Sequence, residues 1–170
     1  PQRLGHKALA VNLSDLAACG AEPTAFMLAL ALPRADEAFL AGFADGLYRL
    51  AERHAIELVG GDTTAGPLNI CITVFGQVPA GTALLRSGAR AGDELWVSGT
   101  LGDARAALEV FRGTLSVDAA AFDHLRQAME LPEPRVALGR RLRGIASSAI
   151  DVSDGLLGDL AHILRRSGVG

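Results

Sequence analysis

From Thr24 to Leu32 the chain is apolar at every position after the first, with Phe26, Leu28, Leu30 and Leu32 alternating with Met27, Ala29 and Ala31 before Pro33. A run of this length is too short for a membrane span and suits a strand better than a core helix. Apolar residues on both sides of the alternation predict a central strand covered on both faces, which forces a layered α/β arrangement. Proline ends it, having no N–H to donate to a ladder. Around this strand the periodicity changes to that of helices. Leu9, Leu13 and Leu16 recur at helical spacing between His6 and Ala18, with Gly20 as the stop. Asp36 is placed to cap a helix whose Phe39, Phe43, Leu47 and Leu50 make one stripe as far as about His54. Ile56 to Val59 predicts a short strand running into a Gly60-Gly61-Asp62 turn, and Leu68 to Val78 another, with Ile70, Ile72 and Val74 on one side. The first half thus reads helix, strand, helix, strand, strand.

Pro79 to Gly92 has Pro, Gly, Ser and Arg without periodicity and marks a domain boundary, giving domains of residues 1–82 and 83–170. The pattern then restarts. Leu95 to Ser98 and Ser147 to Val152 predict strands; Asp103 to Phe111, Val117 to Glu130 and Arg135 to Arg143 predict helices. A final helix carries Leu156, Leu157, Leu160, Ile163 and Leu164 on one face, and Ser167-Gly168 ends it. The chain opens at Pro1, not Met, and ends as abruptly, which reads as a piece of a longer protein.

With 49% apolar and 21% charged residues the 170-residue chain is globular, and its net charge of -3 is spread without blocks, which argues against a nucleic-acid surface. Arg140, Arg141 and Arg143 are the densest basic cluster and read as a solvated helix face. Cys19 and Cys71 lack metal-ligand spacing and read as core thiols. No stretch is long enough to span a bilayer and no signal segment opens the chain, so a cytoplasmic setting is expected.

Chemistry gathers in three acidic segments: Asn12-Leu13-Ser14-Asp15, Gly60 to Gly66, and Asp151-Val152-Ser153-Asp154-Gly155. Paired glycines at Gly60 and Gly61 let backbone approach a phosphate, while Asp62, Thr63 and Thr64 offer hard oxygen donors; a bare turn fits that segment equally well. No Walker lysine is present, so a P-loop is excluded there. Asp154 is placed to cap the last helix, and Asp151 and Ser153 stand within four residues of it. Crowding two carboxylates at a strand-to-helix junction is costly unless a cation offsets their repulsion. Arg86, among small residues in Arg86-Ser87-Gly88-Ala89, is either a surface arginine or a fork for phosphate oxygens. His6, His54, His124 and His162 are scattered, and no zinc motif or serine nucleophile elbow appears.

Taken together, the stretches from Gly5 to Ala18, Gly60 to Gly66, Arg86 to Asp93 and Asp151 to Leu156 resemble the thiamine-monophosphate kinases of the aminoimidazole ribonucleotide synthetase-like superfamily, in the family's order. The resemblance implies an α/β (α+β type) fold of two domains, a homodimer built on the first domain's sheet, and an active site in the cleft between domains. It implies ATP-dependent phosphorylation of thiamine monophosphate to thiamine diphosphate with several Mg2+ ions, by direct in-line transfer. By the same resemblance Asp15, Asp62, Asp151 and Asp154 match magnesium ligands, and Gly61, Arg86 and Ser153 match nucleotide contacts. Arg86 and Asp154 are then the residues nearest catalysis. Two alternatives are another ATP-using enzyme of the superfamily, of the aminoimidazole ribonucleotide synthetase or selenophosphate synthetase type, and a non-catalytic metal-binding or dimerisation module. The family's sequences also extend beyond both ends of this chain.

Overall fold

The computed structural model describes residues 1–170. Its elements in chain order are α1 (Gln2–Ala18), β1 (Glu22–Leu32), α2 (Glu37–Arg53), β2 (Glu57–Ala65), β3 (Asn69–Gln77), α3 (Asp103–Phe111), α4 (Ala119–Glu130), α5 (Val136–Leu142) and α6 (Leu156–Ser167). The helix, strand, helix, strand, strand order of the first half is as its periodicity predicts. Asp36 caps α2 by accepting from the Phe39 N–H at 2.9 Å, which satisfies one of the donors that a helix start leaves free.

β1 is the central strand of three, in the order β2-β1-β3, parallel to β2 and antiparallel to β3. Phe26, Leu28 and Leu30, with Ile70, Ile72 and Val74 of β3, face α1 and α2. The core forms there. Phe26, Leu9, Leu13, Leu47 and Leu50 are the largest fully buried side chains, each contributing roughly 1.5–3 kcal/mol by leaving water.

The other face of the sheet differs from the prediction. Met27, Val59 and Phe75 remain 42%, 60% and 45% exposed, so β1 is covered on one side only. Its alternation of large Phe/Leu with small Ala on the second side already distinguishes the two faces.

Residues 60–65 also depart from expectation. They continue β2 as an edge strand instead of turning, with Gly60 beside Met27, Gly61 beside Leu28 and Asp62 beside Ala29. The pairing shifts register between Phe26 and Met27, and Gly61 absorbs the irregularity at φ +143°. A Cβ there would lie 1.9 Å from the Leu28 carbonyl oxygen, so only glycine lets β2 keep its contact with β1.

In the second half α3 to α6 match their predicted positions to within two residues at each end, but Leu95–Ser98 and Ser147–Val152 form no strands. A strand is stable only when paired, and the single backbone hydrogen bond crossing from this region runs from Ala149 N–H to Leu85 C=O, 3.0 Å. Trp96 is 82% exposed, as an unpaired segment leaves it. α3 and α4 pack through Phe111 and Phe122, edge to face at 5.3 Å.

This half is tied to the first through α1. Gly139 of α5 meets it so closely that a Cβ would stand 2.0 Å from the Ala17 carbonyl oxygen. Leu84 N–H donates to the Cys19 carbonyl at 3.0 Å and Arg140 pairs with Glu22 at 3.5 Å. The C-terminal end of α1, which carries Asp15, is therefore clamped beside the segments that follow residue 82. No helix is long and apolar enough to cross a membrane.

Candidate active site

The segment Asp151–Gly155 leads into α6 without the cap predicted for it. Gly155, at φ +113°, is the N-cap residue, and no side chain caps the helix, so Asp154 is not a cap. Its carboxylate is left exposed. The backbone of the segment is satisfied from inside α6 instead. Oδ2 of Asp159 accepts from the Ser153 N–H at 2.9 Å and from the Asp154 N–H at 3.1 Å, and Asp159 is the buried charged residue of the chain, 5% exposed.

Asp151 is half-buried, and burial first, then the nearby charges of Asp15 and Asp159, push its carboxyl above the ordinary carboxylate range, with Arg86 acting in the opposite direction. Cys19 responds to the same neighbours: burial, Asp15 and Asp151 raise its thiol and Arg86 lowers it. Asp15, Cys19, Arg86 and Asp151 thus lie within electrostatic reach of one another, although they come from the end of α1, the loop after residue 82 and the approach to α6. Cys19 and Cys71 are both exposed, contrary to their reading as core thiols.

Arg86 belongs to a loop built on the other end of α6. Ser167 Oγ accepts from Gly88 N–H at 3.2 Å and Ala89 N–H at 3.1 Å, and donates to the Arg86 carbonyl at 3.3 Å. Further on, Asp93 Oδ2 accepts from Arg90 N–H at 2.9 Å and Ser147 Oγ at 2.6 Å. The Ser147 bond first, and the Arg90 amide next, hold the Asp93 carboxyl below its usual range.

Asp62 stands apart. It lies on the open face of the sheet beside a shallow cavity of about 340 Å3 with Met27, Ala29, Gly61, Cys71 and Thr73, and its Oδ1 accepts from the Thr63 N–H at 2.8 Å. The sheet separates it from the face that α1 covers. A larger cleft, about 530 Å3, involves Arg3, His6, Arg49 and Arg53. Its three guanidinium groups are paired with Glu130, Asp45 and Glu133 respectively, which leaves no free cation for a ligand.

No three His, Cys, Asp or Glu side chains come close enough to enclose a metal ion together. The donor set still fits Mg2+, which keeps several waters and is bound through one or two carboxylates plus substrate phosphates in preference to a full protein cage. Sequence reading missed Asp159, Ser167 and Cys19 at this site. An aspartate and a serine inside an amphipathic helix give no signal of folding back onto distant loops.

The domain model "AIR synthase related protein, N-terminal domain" matches residues 1–78, and the fold is of that type. Over its whole length the chain is similar to thiamine-monophosphate kinases. The one from Salmonella typhimurium is 50% identical over 171 aligned residues, 100% of this chain and 53% of that protein. The crystal structure of the enzyme from Stenotrophomonas maltophilia K279a superposes with a TM-score of 0.94 at 50% identity, covering 98% of this chain and 54% of that one. AaThiL complexed with AMPPCP and TMP superposes with a TM-score of 0.91 at 33% identity, covering 99% of this chain and 54% of that one. The chain spans about half the length of the curated relatives it matches.

Proposed function

We propose that the intact protein transfers the γ-phosphoryl group of ATP to thiamine monophosphate, giving thiamine diphosphate and ADP. The observation that carries this reading is that Asp15, Arg86 and Asp151, from three distant segments, lie within electrostatic reach of one another, with the Asp151 carboxyl raised by burial first and by the like charge of Asp15 next. A cation offsets that repulsion. AaThiL complexed with AMPPCP and TMP, 33% identical over nearly the whole chain, supports a nucleotide and a phosphate acceptor as the ligands.

Asp15, Asp151 and Asp154 would hold Mg2+, and Asp62 is assigned the same role from the open face of the sheet. When bound, the metal supplies charge neutralisation between two anionic substrates. Arg86 would fork onto the moving phosphoryl group and spread its charge, and Ser153 and Gly61 would contact the nucleotide. The acceptor phosphate has a second pKa of about 6, so it is mostly dianionic near neutral pH and requires no strong base. The transfer is direct and in line, with no phosphoenzyme and no catalytic histidine. The open sheet face, with Met27, Val59 and Phe75 exposed, supports a homodimer formed there.

Asp62→Asn and Asp154→Asn test the metal assignments separately. In calorimetric titration of the intact protein with AMPPCP, each is expected to weaken the magnesium-dependent binding by roughly tenfold, about 1.4 kcal/mol. Wild-type affinity in both variants would remove the metal assignment.

A further inference from the structure

We propose that α6 is the positioning element of the site, holding the acidic loop through Asp159 at one end and the Arg86 loop through Ser167 at the other; this rests on the functional reading above. The two residues are eight apart, which sets them about 12 Å apart along the axis. Neither is offered as a ligand. Asp159 is buried and its Oδ2 takes both amides of Ser153 and Asp154, so the carboxylate is used inward. With those amides held, the Asp151 and Asp154 side chains cannot follow the backbone into another turn. Asp154, free of any capping duty, is fixed outward as an open oxygen donor.

Ser167 holds the other end of α6 to its loop with a weaker grip. One hydroxyl accepts from two amides of the Arg86-Ser87-Gly88-Ala89 stretch and donates to the Arg86 carbonyl. Three loop groups therefore depend on one oxygen. Because both loops are fastened to one helix, their separation is set by the rigid α6 backbone. The chain around them adds the Ala149 to Leu85 backbone bond and the Ser147 hydroxyl bond to Asp93.

The two ends predict separable losses in the intact protein. Asp159→Ala is expected to speed hydrogen exchange of the Ser153 and Asp154 amides at least tenfold and to weaken Mn2+ binding, read by electron paramagnetic resonance, by about tenfold. Asp159→Asn keeps a carbonyl acceptor, so it should restore most of the amide protection and, with it, most of the Mn2+ affinity. Ser167→Ala is expected to leave Mn2+ affinity within twofold of wild type, to raise exchange at Gly88 and Ala89, and to raise KM for ATP more than it lowers kcat. Wild-type exchange at Ser153 and Asp154 in Asp159→Ala would overturn the proposal, as would loss of protection with Mn2+ affinity unchanged. Asp151→Asn is run beside them. If that variant binds Mn2+ normally, the metal reading fails, while amide exchange without metal still decides whether Asp159 holds the loop.

Discussion

Replacing Gly61 by alanine isolates the strand geometry that presents Asp62. The residue sits at φ +143°, a region that costs a side-chain-bearing residue about 1–3 kcal/mol. Its new Cβ would also fall 1.9 Å from the Leu28 carbonyl oxygen and 2.9 Å from the Leu28 nitrogen. Relief requires β2 to move away from β1, and losing two ladder hydrogen bonds adds about 2 kcal/mol. The sum is about 3–5 kcal/mol. For a chain of this size each kcal/mol moves the melting temperature by about 2–4 °C, so Gly61→Ala should melt roughly 6–20 °C lower.

Gly60→Ala is the internal control. That glycine has no positive φ, and its added Cβ would meet nothing closer than the Met27 methyl at 3.7 Å. Losing chain freedom in the unfolded state makes the change neutral or stabilising by up to about 1 kcal/mol. Differential scanning calorimetry of both variants decides the matter. Melting temperatures within about 2 °C of each other would refute the argument that Gly61, and not glycine content in general, holds the edge strand.

Two pH-linked predictions follow from buried charge. Because the Asp151 pKa is raised on folding, the folded state binds its proton more readily, so stability falls as pH rises from the unfolded carboxylate value near 3.8 through the raised one. Metal-free Asp151→Asn should therefore be more stable than wild type at pH 7, by less than about 1 kcal/mol since solvent screens a half-exposed group, with the advantage gone at pH 3. Urea unfolding at the two pH values checks this, and a destabilised variant at pH 7 would contradict it. His54 behaves oppositely: its Nε2 is buried without a partner, and burial first, then Arg53 and His6, lowers its pKa against the pull of Glu133. Its contribution to stability is present above the unfolded value of 6.5 and declines as pH falls toward the depressed folded one; His54→Phe should flatten the stability profile between pH 7 and 5, and an unchanged slope would count against it.

Residues whose partners are near in sequence were legible in advance. The Asp36 cap, the apolar stripe of α2 and the Asp103–Phe111 helix depend on neighbours three or four positions away. Long-range pairing was not. Ser147–Val152 has strand composition but only one backbone bond to another segment, and Gly60–Asp62 has turn composition but is held extended by β1. At the site, Asp15, Asp151 and Arg86 were candidates by residue type and by resemblance, and the charges of Asp15 and Arg86 act on Asp151 from two other segments. Asp62 was grouped with them and lies on the open face of the sheet. Asp154 stands where Asp often caps a helix, but α6 has no side-chain cap, and the buried Asp159 accepts from the Ser153 and Asp154 amides instead.

The central claim is tested most directly by the products that the intact protein makes from ATP, magnesium and thiamine monophosphate. Chromatographic separation with the γ-phosphate labelled should show the label in thiamine diphosphate, one ADP formed for each, and none on the protein. Label released as inorganic phosphate, retained on the protein, or transferred only to a different acceptor would contradict it.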